Sequence, residues 1–150
     1  GDGVTRVVIT GGAGYVGSHT THALARTGDY DILVIDNLES GHAEAVPRGV
    51  ALKVLALDDA VGVAAVLRAF KPHALIDFAA YLDVSHSQNE PEEYVRNNVQ
   101  NFKHVVRCLS RAVACVPPDR TSRHALRRAL LRALLWPRGS WTPCKLRAAS

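Results

Sequence analysis

Apolar residues in the first third of the chain fall in short continuous runs rather than in alternation. Val4–Thr10 (VTRVVIT) and Asp31–Ile35 (DILVI) are β-branched and apolar on successive positions, the pattern of strands buried on both faces. Between them, Gly11–Gly17 is a Gly-rich turn, and Gly17–Thr27 reads as a helix closed by Gly28. Asn37–Gly49 is a polar loop. Val50–Leu57 (VALKVLAL) and Ala74–Ala79 (ALIDFA) are predicted as the third and fourth strands. Asp59 is placed to cap a helix running to about Phe70, ended by Lys71-Pro72. Pro91 suits the first turn of a further helix from Glu92 to about Leu109, with Glu92 and Glu93 near its positive end. Strands alternating with helices at this spacing predict an α/β fold with a doubly wound parallel sheet. Val113–Val116 is a candidate fifth strand and Ser122–Leu135 a candidate helix.

The segment TGGAGYVGSH, Thr10–His19, places glycines at 11, 14 and 17 between a strand and a helix. Each glycine answers a separate demand: Gly11 the sharp exit from the strand, Gly14 the close approach of backbone to a pyrophosphate, Gly17 the close packing of helix on sheet. The N–H groups at the helix start then face the phosphates. Asp36 stands at the end of the second strand, where a carboxylate accepts hydrogen bonds from the hydroxyls of an adenosine ribose. It would repel the additional phosphate of NADP, and no Arg directly follows it, so NAD is the expected cofactor.

Composition narrows the setting. The chain has 150 residues, 47% hydrophobic and 21% charged. No run approaches the ~18 apolar residues of a membrane span. No basic-then-apolar leader is seen at the N-terminus. The cysteines at 108, 115 and 144 form no CxxC pair, which argues against a disulfide framework or a zinc site and for a reducing cytoplasm. His19 and His22 lie three apart on a predicted helix without an evident third ligand, so no metal site is expected. Residues 1–106 hold 8 Lys+Arg and 13 Asp+Glu, net −5, whereas residues 107–150 hold 10 Lys+Arg and one acid, Asp119, net +9. The chain is therefore read as a partial Rossmann-type domain, 1–106, with its first four or five strands, followed by an Arg-rich divergent tail, 107–150.

Four segments together resemble the UDP-glucose 4-epimerase family of the extended short-chain dehydrogenase/reductase superfamily, the NAD-dependent epimerases and dehydratases. They are TGGAGYVGSH (10–19), DNLESG (36–41), DFAAYLDVSHS (77–87) and PEEYVRNNVQN (91–101). The resemblance implies that Gly11, Gly14, Tyr15, Val16 and Gly17 lie along the pyrophosphate of NAD. It implies that Asp36, Asn37, Leu38, Ser40 and Gly41 surround the adenosine, that Phe78, Ala79 and Ala80 line the path to the nicotinamide ribose, and that Asn98 contacts the cofactor. Tyr94 is expected to pack rather than to react. Asp77 stands where the family usually has His, Leu82 where epimerases have a cofactor-contacting Lys, Ala56 where an adenine-contacting Asp would fall, and Asn101-Phe102 where Gly-Thr is usual.

The resemblance further implies a redox reaction on a nucleotide sugar, UDP-glucose or UDP-galactose. A tyrosinate takes the proton of the 4-hydroxyl, C4 gives a hydride to NAD, and the 4-keto sugar turns over before the hydride returns to its other face. That tyrosine needs a Lys four positions later to lower its pKa. The tyrosines here, at 15, 30, 81 and 94, have none, so this chain by itself is expected to be inactive in epimerisation. The full-length family also implies a homodimer. The tail from 107 has the Arg, Ala, Leu and Pro dominance of GC-rich DNA read out of frame. Its rival reading is a basic amphipathic helix at an anionic surface. Nucleic acid is disfavoured, because no aromatic residues interleave the charges. A non-catalytic NAD-binding module is the other reading of the whole.

Overall fold

The computed structural model describes residues 4–81 and 84–113. Four parallel strands, β1 (Thr5–Thr10), β2 (Tyr30–Asp36), β3 (Ala51–Val54) and β4 (Ala74–Asp77), form one sheet in the order β3-β2-β1-β4. The winding of the chain along the sheet reverses between β1 and β4, so this is the topological switch point at which α/β sheets open a crevice. β1 pairs with β2 from Thr5 opposite Tyr30 to Thr10 opposite Ile35, and with β4 from Val7 opposite Ala74 to Thr10 opposite Asp77.

The continuous apolar runs follow from burial on two faces. Val8, Leu33 and Ile35 pack with Val63 and Leu67 of α2 (Ala60–Phe70) and with Val105 of α5 (Phe102–Val113). Val7, Ile9, Ile32 and Val34 point to the opposite face and pack with Leu24 of α1 (Tyr15–Ala25). At ~25 cal/mol per Å² of apolar surface removed from water, these two layers supply the main drive for folding.

Local signals place the helix ends. The Asp59 carboxylate accepts the Gly62 N–H at 2.9 Å and caps α2, which stops at Lys71 in the left-handed region (φ 51°) before buried Pro72. Gly28 follows α1 with φ 72°, as its position past the helix end predicts.

Other boundaries moved. The third strand shortens to Ala51–Val54, although the Leu55 N–H still donates to the Asp36 carbonyl at 3.0 Å. The fourth ends at Asp77, whose own carboxylate accepts the Ala79 N–H at 3.2 Å and turns the chain. A short helix, α3 (Val84–Asn89), was not foreseen. The single helix expected from Glu92 to Leu109 is instead α4 (Pro91–Val95), a π-helical segment (Arg96–Asn101) and α5. Val95, Val99, Phe102 and Val106 leave exposed apolar side chains along this run. Val113 ends α5, so the fifth strand proposed from it does not start there. Residues 114–116, the candidate helix Ser122–Leu135 and most of the basic tail lie outside the described residues. No helix among the described residues is long and apolar enough to cross a membrane.

The β1–β4 pairing is extended by a side chain. The His73 N–H donates to the Arg6 carbonyl at 2.8 Å, and His73 Nδ1 accepts the Arg6 N–H at 2.9 Å. Replacing His73 with Ala is expected to cost about 1–3 kcal/mol, because the Arg6 N–H is left without this partner inside the sheet. Urea unfolding of the two chains measures it.

Candidate functional site

The carboxyl ends of β1, β2 and β4 open into a shallow crevice at the switch point, the place where open α/β sheets bind their ligands. Its floor is the glycine loop. Gly11 leaves β1 with φ 67°, and its N–H donates to the Ile35 carbonyl at 2.9 Å. A Cβ at Gly11 would lie 2.6 Å from the Phe78 carbonyl carbon, so the exits of β1 and β4 touch backbone to backbone. A Cβ at Gly17 would lie 2.1 Å from the Gly11 carbonyl oxygen. Gly17 therefore seats α1 on the glycine loop itself, a closer contact than the helix-on-sheet packing expected for it. Gly14 lines the crevice, and a Cβ there would meet nothing nearer than the Gly11 oxygen at 3.3 Å. Gly14 is also the N-cap residue of α1 and supplies no side-chain cap, and the first turn carries no acid. The N–H groups of that turn are left for an anion.

Asp36 is buried, 8% exposed, at the end of β2 and lines the crevice. One carboxylate oxygen accepts the Ala13 N–H and the other the Leu38 N–H, both at 2.9 Å. Each oxygen retains a second lone pair, the capacity that two ribose hydroxyls would use. Leu38 takes φ 60° to reach this bond, a conformation uncommon for a residue with a side chain. The following loop is held down by the His42 N–H donating to the Ala13 carbonyl at 3.1 Å, and by His22 Nε2 at 3.2 Å from the Ala45 carbonyl. His22 is thus a strut between α1 and this loop, while His19 lies against Tyr15, its Nδ1 2.7 Å from the Tyr15 carbonyl.

The residues named from sequence divide. Gly11, Gly14, Asp36, Asn37, Ser40, Phe78, Ala79 and Ala80 line the crevice together. Tyr15 and Val16 sit exposed in the first turn of α1, Gly17 is buried beneath Gly11, and Leu38 and Gly41 support the loop behind Asp36. Asn98 spends its side-chain amide on backbone: its Oδ1 accepts the Tyr81 N–H at 2.8 Å and its Nδ2 donates to the Tyr81 carbonyl at 3.0 Å. The neighbouring Asn97 is the asparagine that lines the crevice. Ile35, Glu39, Leu55, Leu57 and Tyr81 line it too and were missed. Leu55 and Leu57 had a signal, since residues two apart after a strand share a side. Asp77, in place of the family's His, accepts the Thr10 hydroxyl and stays at the strand end. Tyr94 packs its ring against Tyr81, centroids 5.5 Å apart.

The sequence matches the NAD dependent epimerase/dehydratase family over residues 7–117. The chain belongs to that family. Among curated relatives it is 42% identical over 93 residues to a UDP-glucose 4-epimerase of Rhizobium meliloti (strain 1021), a match covering 62% of this chain and 28% of the relative. It is 36% identical over 107 residues to one of Lactobacillus helveticus, covering 71% and 32%. The chain thus spans less than a third of the length of these relatives. Of solved structures, the Thermus thermophilus UDP-glucose 4-epimerase in complex with NAD superposes with a TM-score of 0.69 at 32% identity, over 72% of this chain and 34% of that one. The Brucella ovis enzyme in complex with NAD superposes with a TM-score of 0.67 at 28% identity, over 88% and 49%. The glycine cradle, which a Cβ would obstruct, and the buried carboxylate of Asp36 fit the cofactor after which the family is named.

Two glycine substitutions separate fold from ligand. Gly17→Ala is expected to lower stability by about 1–3 kcal/mol, the usual cost of forcing atoms into a filled site. Gly14→Ala, whose Cβ would stand 3.3 Å from the Gly11 oxygen, should cost less stability than Gly17→Ala and lose nucleotide affinity, because its methyl group narrows the approach to the start of α1. Thermal melts paired with calorimetric titration by NAD distinguish the two.

Proposed function

We propose that these residues hold NAD for a UDP-glucose 4-epimerase reaction. The observation that carries the reading is Asp36, buried at the end of β2, bonded to the glycine loop, and open on its remaining lone pairs to the crevice. When bound, NAD supplies a reversible hydride acceptor for C4 of the sugar. The chain's own part is to bind and orient it. The first turn of α1 takes the pyrophosphate, Asp36 takes the adenosine ribose, and Leu55 and Leu57 give the adenine an apolar wall. Phe78, Ala79 and Ala80 flank the nicotinamide side.

We assign no proton chemistry to these residues. No tyrosine in the 150 residues has a Lys four positions later, so the Tyr-x-x-x-Lys pair that the reaction uses is not among them. The reading is supported by relatives named UDP-glucose 4-epimerases and matched over this part of their length. We extend it to a UDP-sugar substrate and a reducing cytoplasm for the whole enzyme. A second copy of the chain as partner is supported by the exposed apolar run Val95, Val99, Phe102 and Val106.

Titration of the purified 150-residue chain is expected to show NAD binding about tenfold or more tighter than NADP, and Asp36→Ala should remove that preference. The same chain, given UDP-galactose and NAD, should form no UDP-glucose. Equal affinity for the two dinucleotides, or turnover proportional to chain concentration, would contradict the assignment.

A further inference from the structure

The two loops that flank the crevice are joined across it by side chains 42 positions apart. The Tyr81 hydroxyl, on the loop after β4, donates to Glu39 Oε2, on the loop after β2, at 3.1 Å. Both residues line the crevice. Each end of this bridge is itself held. Glu39 Oε2 accepts the Asn37 side-chain N–H at 3.1 Å, and the Glu39 N–H donates back to Asn37 Oδ1 at 3.1 Å. Tyr81 has its backbone N–H and carbonyl fixed by Asn98 and its ring against Tyr94. The bridge therefore joins the loop beside the adenosine position to the loop beside the nicotinamide position.

We propose that Tyr81 and Glu39 form a clasp over the bound dinucleotide, positioning it and slowing its release. The proposal rests on the reading of the crevice as an NAD site. A dinucleotide lying from Asp36 to Ala79 passes between the loops that the bridge joins, so the bond must open for it to enter or leave. The donor is available throughout the neutral range: burial, the hydrogen bond to Glu39 and the negative charges of Glu39 and Glu93 push the Tyr81 phenol up, against a smaller opposing effect of Arg96. Because its pKa is raised in the folded chain, the phenol keeps its proton up through the ordinary tyrosine range. The phenol ceases to donate as pH climbs through the raised value. Asn98 acts here through Tyr81, as a positioning residue.

The test compares the wild-type chain with Tyr81→Phe, Glu39→Ala and Glu39→Gln. Each is preloaded with NADH and chased with excess NAD, and release is read as loss of nicotinamide fluorescence. Tyr81→Phe and Glu39→Ala are expected to release NADH about fivefold faster, the scale of one net hydrogen bond. Glu39→Gln, which keeps an acceptor oxygen, should stay near wild type. Equal release rates in all four chains overturn the clasp while leaving the cofactor site standing. Failure of the wild type to bind NADH overturns the cofactor reading and the clasp with it. Without nucleotide, ultraviolet titration should show one phenol ionising at lower pH in Glu39→Ala than in wild type. Identical titrations would show that the bridge does not form in solution, and that also overturns the proposal.

Discussion

The carboxylate of Asp36 joins pieces of chain that would otherwise have no reason to meet. It is buried, and a buried carboxylate is costly unless its oxygens are satisfied. Two backbone N–H groups do this, one from the glycine loop at Ala13 and one from its own loop at Leu38. Charge-assisted bonds of this kind are among the stronger ones a protein makes. They fix the end of β2 against the start of α1, and through the left-handed Leu38 they set the direction in which the next loop departs. The position of Asn37, Glu39 and Ser40 along the crevice follows from that single anchoring. The residue thus serves the fold first, and the ligand role proposed for it would use the other lone pairs of the same oxygens.

Much of this was legible in the sequence, for physical reasons that can be named. Continuous apolar runs such as VVIT and ILVI can be buried only between two layers, and the two core clusters lie on the two faces accordingly. The glycines were readable because backbone must approach backbone there. Gly17 shows the limit of the reading: its need for a bare Cα was right, but the partner is the Gly11 carbonyl rather than the sheet. The contact between Glu39 and Tyr81 left no trace, since nothing in a local pattern pairs side chains 42 positions apart. Asn97, the neighbour of Asn98 that lines the crevice, was not singled out. The single helix expected from Glu92 to about Leu109 assumes unbroken α-helical turns, and the chain does not keep them.

The crevice also shows how labour is divided along such a fold. Its floor is backbone and glycine, unable to discriminate among dinucleotides. In the reading proposed above, discrimination falls to the acidic rim, Asp36 beside Glu39, whose negative charges repel additional phosphate charge. Its walls are the small residues Ala79 and Ala80 together with Leu55 and Leu57, shaped by strand endings rather than by helices. In the proposed reading these groups hold the dinucleotide and move no proton. A site built to hold a cofactor without reacting with it leaves the choice of chemistry to whatever segment brings the acid and base.

The π-helical segment between α4 and α5 gives the helix a change of phase. A wider turn rotates everything after it relative to everything before it. Upstream, the helix carries the Tyr94 ring to Tyr81, and within the segment Asn97 and Asn98 face the crevice and its loop. Downstream, Val105, Cys108 and Leu109 face the sheet. The two halves answer to different neighbours and are geared to each other by one loosened turn. A gearing of this kind lets the loop-facing half drift as the crevice is refashioned for another ligand, while the core-facing half keeps its packing untouched.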